Sequence, residues 1–358
     1  MENLVTPAFW KGKRVFITGH TGFKGSWLSL WLQQMGAALT GYALAPSTTP
    51  NLFEVADVEG GMTSVIGDIR DLDSLQKAIT SCQPEIVLHL AAQALVGEGY
   101  RDPLGTFSTN VQGTANLLEA VRNTASVQAV VVVTSDKCYE NKEWPWPYRE
   151  NEALGGHDPY SSSKACAELV TAAYRQSFLT KAGIAVATAR AGNVFGGGDW
   201  SANRLIPDLL AAFAQNQTAQ LRRPNSVRPW QHVLEPLAGY LLLAEHLCSN
   251  PAANAAWNFG PNEQDCLPAG AIADQLARLW GNDASWQPET HTFPHEAGLL
   301  RLDASLAQQQ LGWQTRWPLN TALAATISWH KTWLTVSNMR EYTLGQIEIY
   351  TTDELAYQ

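Results

Sequence analysis

Short apolar runs alternate with longer amphipathic segments through the first half of the chain. Val15-Phe16-Ile17-Thr18 is a compact strand-like run ending at Gly19. Residues 25–35 follow, with Trp27, Leu28, Leu30, Trp31 and Leu32 forming the wide apolar face of a helix. Residues 38–43 and 64–66 are the next strands. Residues 71–80 are expected to be helical, capped by Asp71, because Leu72, Leu75 and Ile79 recur at helical spacing. Pro84 stops that helix before a strand at 85–90. Residues 104–121 carry a helical pattern, and 129–134 is a β-branched run suited to a strand covered on both faces. At Asp158-Pro159 a capping aspartate precedes a proline at the first helical position, starting a helix expected to reach about Lys181. Residues 184–190 form the next strand. This rhythm predicts right-handed βαβ units: an α/β fold with a Rossmann-type doubly wound parallel sheet.

After Gly196 the rhythm changes. Helical stretches at 204–215, 234–247, 268–280 and 319–334 are separated by loops rich in Pro, Trp and Asn. A smaller mixed lobe packed over the sheet is expected. The organisation that follows is residues 1–195 as a dinucleotide-binding domain, with segments of 230–260 returning to it. Residues 196–338 are mainly a substrate-binding lobe, and 339–358 is a tail fitting neither part. The chain shows no internal repeat.

Composition narrows the function. The 358 residues carry 24 Lys+Arg against 33 Asp+Glu, a net charge of -9. That balance argues against a phosphate-tracking surface for nucleic acid. No apolar run approaches the roughly 20 residues that span a bilayer. Residues 1–13 lack the basic leader and apolar stretch of a secretory signal. Five scattered cysteines form no Cys-x-x-Cys pair, which disfavours a disulfide scaffold or zinc site and suits a reducing cytoplasm. The histidines show no metal-ligand spacing, so no metal is expected.

Two local patterns carry chemistry. Gly19-His20-Thr21-Gly22-Phe23-Lys24-Gly25 lies at the first strand–helix junction. There, glycines let the backbone approach a pyrophosphate that the helix N-terminus stabilises. His20 and Lys24 add positive charge beside that pyrophosphate, with a phosphate contact expected for Lys24. The second strand ends without the acid that usually holds the NAD ribose; Asp68 and Ile69 are expected to hold the adenine instead. The second pattern is Tyr160-Ser161-Ser162-Ser163-Lys164, which places a phenol and an ammonium one turn apart. The ammonium favours phenolate, making Tyr160 a general base, with Lys164 also reaching nicotinamide ribose. Ser135, after the buried strand, orients a substrate alcohol.

These motifs, with Leu90-Ala91-Ala92, Asn110, Arg190 to Phe195, Leu302-Asp303-Ala304-Ser305 and Leu311-Gly312-Trp313, resemble the extended short-chain dehydrogenase/reductase superfamily. The resemblance covers roughly residues 13 to 335. It implies NAD held also by Leu90, Ala91, Ala92, Asn110 and Thr134, and a nucleotide sugar as substrate. Thr134-Ser135-Asp136-Lys137-Cys138-Tyr139 is similar to the nucleotide-sugar 4,6-dehydratases, in which an Asp–Glu pair expels water across C5 and C6. Asp136 matches the general acid. Lys137 departs from the Glu and resembles the branch acting on CDP-D-glucose, with Lys137 as C5 base or enolate holder. Gln93, Asn193, Arg204, Leu205, Leu221, Arg222, Arg228 and Glu296 are then expected around the substrate. The family also implies a homodimer, through helices 104–121 and 158–181, and a role in deoxysugar supply for surface polysaccharide. The alternatives are a 4-epimerase or decarboxylase, a dehydratase of a dTDP-, GDP- or UDP-sugar, and a non-catalytic dinucleotide sensor.

Fourteen tryptophans complete the picture. Trp27 and Trp31, and Trp329 and Trp333, are each four apart and should face the core. Trp144, Trp146, Trp200 and Trp230 are expected as walls or lids of a closed sugar site.

Overall fold

The computed structural model describes residues 5–250, 253–290, 297–336 and 338–352. The alternating apolar runs become parallel strands: β1 (Arg14–Thr18), β2 (Ala38–Ala43), β3 (Thr63–Ile66), β4 (Ile86–His89), β5 (Ala129–Val133) and β6 (Ala185–Ala191). Three short strands follow: β7 (Asn193–Phe195), β8 (Ala219–Leu221) and β9 (Val227–His232). The chain then returns as β10 (Ala256–Phe259), before β11 (Cys266–Pro268) and β12 (Trp286–Pro288). One seven-stranded sheet results, ordered β10-β6-β5-β4-β1-β2-β3. The order reverses between β1 and β4, and ligands of such sheets bind outside the strand carboxyl ends at that reversal.

Burial explains the strand sequences. All five residues of β5 are buried, because helices cover both faces of the sheet. One face packs Trp27, Trp31, Leu237 and Leu241; the other packs Leu75, Leu117 and Val121. A third core, with Phe213, Trp230, Leu276 and Leu323, lies beneath the small β11-β9-β7 sheet and the β8–β12 pair. Asp71 caps its helix as expected, accepting from the Ser74 N–H. The helical pattern at 104–121 is interrupted: Pro103–Phe107 and Gly113–Arg122 are α-helical, while Ser108–Gln112 is a π-turn. Such turns are frequent at functional sites, and this one carries Asn110.

The tail is a docked arm. The Arg340–Thr352 helix lies on the Phe23–Gln34 helix, with Tyr350 edge-on to Trp31 at 5.7 Å. Arg340 donates to the Asp57 carbonyl and to Gln33 Oε1. The Tyr350 hydroxyl donates 2.9 Å to Glu235, a fully buried carboxyl that also accepts from the Arg316 and Trp317 N–H groups. Residues 353–358 lie outside the described residues.

Burial pushes the Glu235 carboxyl up to about 7. Its folded value lies above its unfolded one, so its stabilising contribution is present at low pH and lost as pH rises through about 7. Glu235→Gln should therefore gain on wild type as pH rises from about 5 to 8, with thermal melts of both proteins as the measurement. A stability gap that does not change with pH would contradict this.

Candidate functional site

The glycine loop closes on itself. Gly19 has φ +79, a left-handed conformation, and its N–H donates 3.0 Å to the Tyr42 carbonyl. A Cβ there would meet the Ala91 nitrogen at 2.7 Å, and one at Gly25 would lie 2.0 Å from the Gly19 oxygen. Gly22 caps the Phe23–Gln34 helix, whose first-turn N–H groups have no partner within the helix. With half-buried Leu90, Ala91 and Ala92 beside it, this cradle fits the pyrophosphate of a dinucleotide.

His20 does not sit as the sequence suggested. The His20 ring is buried over Gly41, where a Cβ would approach it to 2.3 Å, and its Nε2 lies 2.8 Å from Ser64 Oγ. Burial lowers it to about 4, so it brings no charge to the phosphates. Lys24 turns inward. Its Nζ lies 5.9 Å from the centre of the Tyr240 ring. Burial, aided by Arg204 and Lys164, lowers it to about 7, against the pull of Asp136 and Asp199.

The adenine end also differs. The Asp68 carboxylate is occupied by Arg70, whose Nε donates to both oxygens. Ile69 does not offer its side chain to a ring: it is buried in the core over Gly113. Asn110 is fully engaged, accepting from the Gln93 N–H and donating to the Gln93 carbonyl and Ser163 Oγ. It ties the loop after β4 to the catalytic helix. The Gln93 side-chain amide is likewise engaged within the protein, donating to Thr106 Oγ1 of the Pro103–Phe107 helix and accepting from the Leu95 N–H.

The candidate catalytic residues converge where β5 ends. Ser135 caps the turn Asp136–Cys138 and donates 3.0 Å to Asp136 Oδ1. Asp136 is buried, and its Oδ2 has no hydrogen-bond partner. Burial holds its carboxyl above the usual range, against the pull of Lys137, Ser135, Arg228 and Lys24. Half-buried Lys137 is thus part of the Asp136 environment. Asp158 caps the Pro159–Tyr174 helix, which presents Tyr160 and Lys164.

Tyr160 is hydrogen-bonded to Ser135, yet burial pushes its phenol up to about 12. This reverses the expectation that the lysine makes it an easy base. The reason is geometric as well as dielectric. Lys164 Nζ donates 3.2 Å to the Val133 carbonyl, and burial lowers it to about 8. Tyr240 escaped the sequence reading altogether. Its hydroxyl is buried without a partner, and burial together with Tyr160 and Asp136 raises it strongly. It lies in the apolar Leu234–Ser249 helix, where the periodicity marks only core.

The substrate side is divided. Arg204 lies 3.4 Å from Asp199 and influences both Lys24 and Tyr160. Arg228 is buried, donates to the Val227 and Ala297 carbonyls, and bears on Asp136. Arg222 donates to the Asn203 carbonyl and faces Asp208. Half-buried Asn193 pairs in β7 with Trp230 of β9. Leu221 is core rather than lining, and Leu205 packs against the same cluster. Glu296 lies outside the described residues.

Of the four candidate tryptophans, Trp200 and Trp230 pack inside the protein rather than facing a ligand. Trp230 is buried and donates 2.8 Å to the Leu267 carbonyl, while Trp200 packs 4.9 Å from Trp333. Trp144 stacks on Tyr148 at 5.3 Å, and Trp146 is 68% exposed. Trp27, Trp31 and Trp329 are core as expected, with Trp333 packed against it. Among the described residues no cluster of His, Cys, Asp and Glu could hold a metal ion.

Sheet order, glycine turn and the Ser135–Tyr160–Lys164 cluster together define an enzyme of the short-chain dehydrogenase/reductase type. Within that class the chain belongs to the GDP-mannose 4,6 dehydratase family, whose model matches residues 16–326. It is 52% identical to a CDP-glucose 4,6-dehydratase of Salmonella typhimurium, over 97% of this chain and 98% of the relative. Among solved structures it resembles a dTDP-glucose 4,6-dehydratase of Streptomyces venezuelae with NAD bound (TM-score 0.74, 24% identity, 89% of this chain and 97% of that one). It also resembles a UDP-glucose 4-epimerase of Thermotoga maritima (TM-score 0.78, 21% identity, 90% and 99%). These two likenesses are of fold.

The loop geometry can be tested by substitution. Gly25→Ala should weaken NAD binding by roughly tenfold or more, about 1.4 kcal/mol, by calorimetric titration. Gly12→Ala is the control: Gly12 also has a positive φ, but a Cβ there meets nothing within 4 Å. It should cost stability of about 1 kcal/mol without changing NAD affinity. Equal NAD affinity in Gly25→Ala and wild type would refute the close-approach account.

Proposed function

We propose that the protein is an NAD-dependent hydro-lyase that converts CDP-D-glucose to CDP-4-keto-6-deoxy-D-glucose. The observation that carries this reading is Asp136, a buried carboxyl held above its ordinary range in one pocket with Tyr160 and Lys164. An epimerase has no use for such an acid, whereas an elimination needs one. The choice of CDP-D-glucose is supported by the 52% identity to the Salmonella enzyme of that name.

Gly19, Gly22 and the helix turn at Phe23 would hold the pyrophosphate of the cofactor, and Lys164 the nicotinamide ribose. NAD, when bound there, would supply the hydride acceptor for C4 and the hydride donor for C6, and in its oxidised form a positive charge. Tyr160 removes the proton of the sugar 4-hydroxyl, which Ser135 orients. A phenol near 12 needs positive charge beside it for that task, and Arg204 already acts in this direction. The 4-ketone acidifies the C5 hydrogen. Lys137 takes that proton and returns it to C5 when hydride reaches C6, and Asp136 passes its own proton to the departing 6-hydroxyl, which leaves as water. Arg204 and Arg228 supply charge for the diphosphate.

We further infer a cytoplasmic homodimer that supplies deoxysugars for surface polysaccharide. The described cysteines are all unpaired. Leu104 and Leu169 are 80% and 59% exposed on helices that pack against each other, a face suited to a second copy.

Incubation with CDP-, dTDP-, GDP- and UDP-linked glucose should give the alkali-developed 4-keto chromophore with the CDP-sugar; equal turnover of dTDP-glucose would sink that assignment. Asp136→Asn should lower dehydration by about 10²–10⁴-fold while C4 oxidation, followed at 340 nm as reduced cofactor, still proceeds. Lys137→Ala should slow exchange of the C5 proton with solvent deuterium, and exchange at the parent rate would remove Lys137 from the mechanism.

A further inference from the structure

A buried carboxylate lies one helical turn beyond Lys164. Tyr160, Lys164 and Glu168 follow at four-residue intervals and share one helix face. Glu168 accepts from Thr134 Oγ1, from Thr188 Oγ1 at 2.7 Å, and from Arg190 Nε and Nη2 at 2.9 and 2.8 Å. Arg190 is equally buried; its Nη1 donates to the Tyr139 hydroxyl at 2.8 Å and the Glu150 carbonyl at 3.0 Å. The Tyr139 hydroxyl in turn donates 2.7 Å to Asn258 Oδ1. One network therefore joins the catalytic helix to β6, to β10 and to the loop after Ser135. Thr134 stands between Val133, whose carbonyl accepts from Lys164, and Ser135.

A buried ion pair is a poor way to gain stability, because desolvation offsets most of its attraction. Its position points to a second use. Lys164 is buried, so its charge is penalised. Lys24 opposes that charge from the glycine-loop helix, and His89 faces it from β4 as a neutral ring. Cys138 and Glu168 favour it. The Cys138 thiol is itself held neutral by burial, whereas Arg190 keeps Glu168 ionised.

We propose that Glu168 is a positioning residue: gripped by Arg190, it holds Lys164 as an ammonium on the Val133 carbonyl and fixes Thr134 and Ser135 beneath the reacting sugar. The catalytic half of this inference rests on the C4-oxidation reading above; the effect on Lys164 does not.

Two substitutions and a control test it. Lys164 is titrated in the full chain by ¹⁵N-lysine NMR, its signal assigned by its loss in Lys164→Arg. Glu168→Gln removes the carboxylate and should move the midpoint down. Arg190→Met removes the partner that keeps the buried carboxylate ionised and should also move it down. Thr188→Val deletes one bond to the same carboxylate away from the catalytic strand and should leave it in place. In turnover, the deficit of Glu168→Gln should be small at low pH and grow to roughly tenfold for each unit the midpoint falls. A midpoint unmoved in Glu168→Gln, or a rate loss of one constant factor at every pH, would overturn the proposal. If Glu168→Gln does not fold, Arg190→Met decides: an unmoved or raised midpoint overturns it equally. Failure of the substrate assignment would instead show as no wild-type turnover with the NMR shifts intact.

Discussion

Desolvation at the carboxyl ends of β1, β4 and β5 is the constraint on which this molecule depends. Water is excluded from a pocket that holds a carboxyl, a phenol and two ammonium groups, and burial pushes all of them toward their neutral forms. Neighbours partly restore each: Lys137 and Arg228 for Asp136, Glu168 for Lys164, Ser135 for Tyr160 and Asp136 for Lys24. The outcome is a set of groups poised to exchange protons, rather than fixed ions. A 4,6-dehydration needs that poise, because one pocket must accept a proton from a hydroxyl and deliver another to a leaving group.

Small residues make the burial possible. Gly41 opens the space that the His20 ring fills, Gly113 admits Ile69, and Gly192 leaves room for the Asp136 carboxyl, whose Oδ2 would lie 3.2 Å from a Cβ there. The first two glycines explain why the His20 and Ile69 side chains, which the sequence placed at the ligand, turn inward instead. A residue type announces its chemistry, but a missing Cβ on a neighbouring strand decides where its side chain goes.

Much of the frame was legible in the chain. The strand at 38–43 and the Asp71 cap emerged from periodicity and capping chemistry alone. The Tyr160–Lys164 spacing placed both side chains on one face of the Pro159–Tyr174 helix for the same reason: a four-residue interval is a spatial statement. β7, β8, β11 and β12 were not legible, since three residues are too few to show a period of two. Tyr240 was hidden in an apolar helix, and Glu168 looked like a polar position on the catalytic helix. Trp200 and Trp230 misled because an aromatic beside an arginine suits a sugar wall and a core equally well. Their partners, Trp333 and the Leu267 carbonyl, are distant in sequence.

The central claim is that burial keeps Asp136 protonated where an ordinary aspartate is ionised. The protonated-carboxyl stretch in the infrared difference spectrum of wild type against Asp136→Asn tests it directly, followed as a function of pH. The account predicts a band belonging to Asp136 that persists above the usual carboxylate range, after the exposed acids have lost theirs. A band that disappears at or below about 3.9, the value of an unperturbed aspartate, would contradict it.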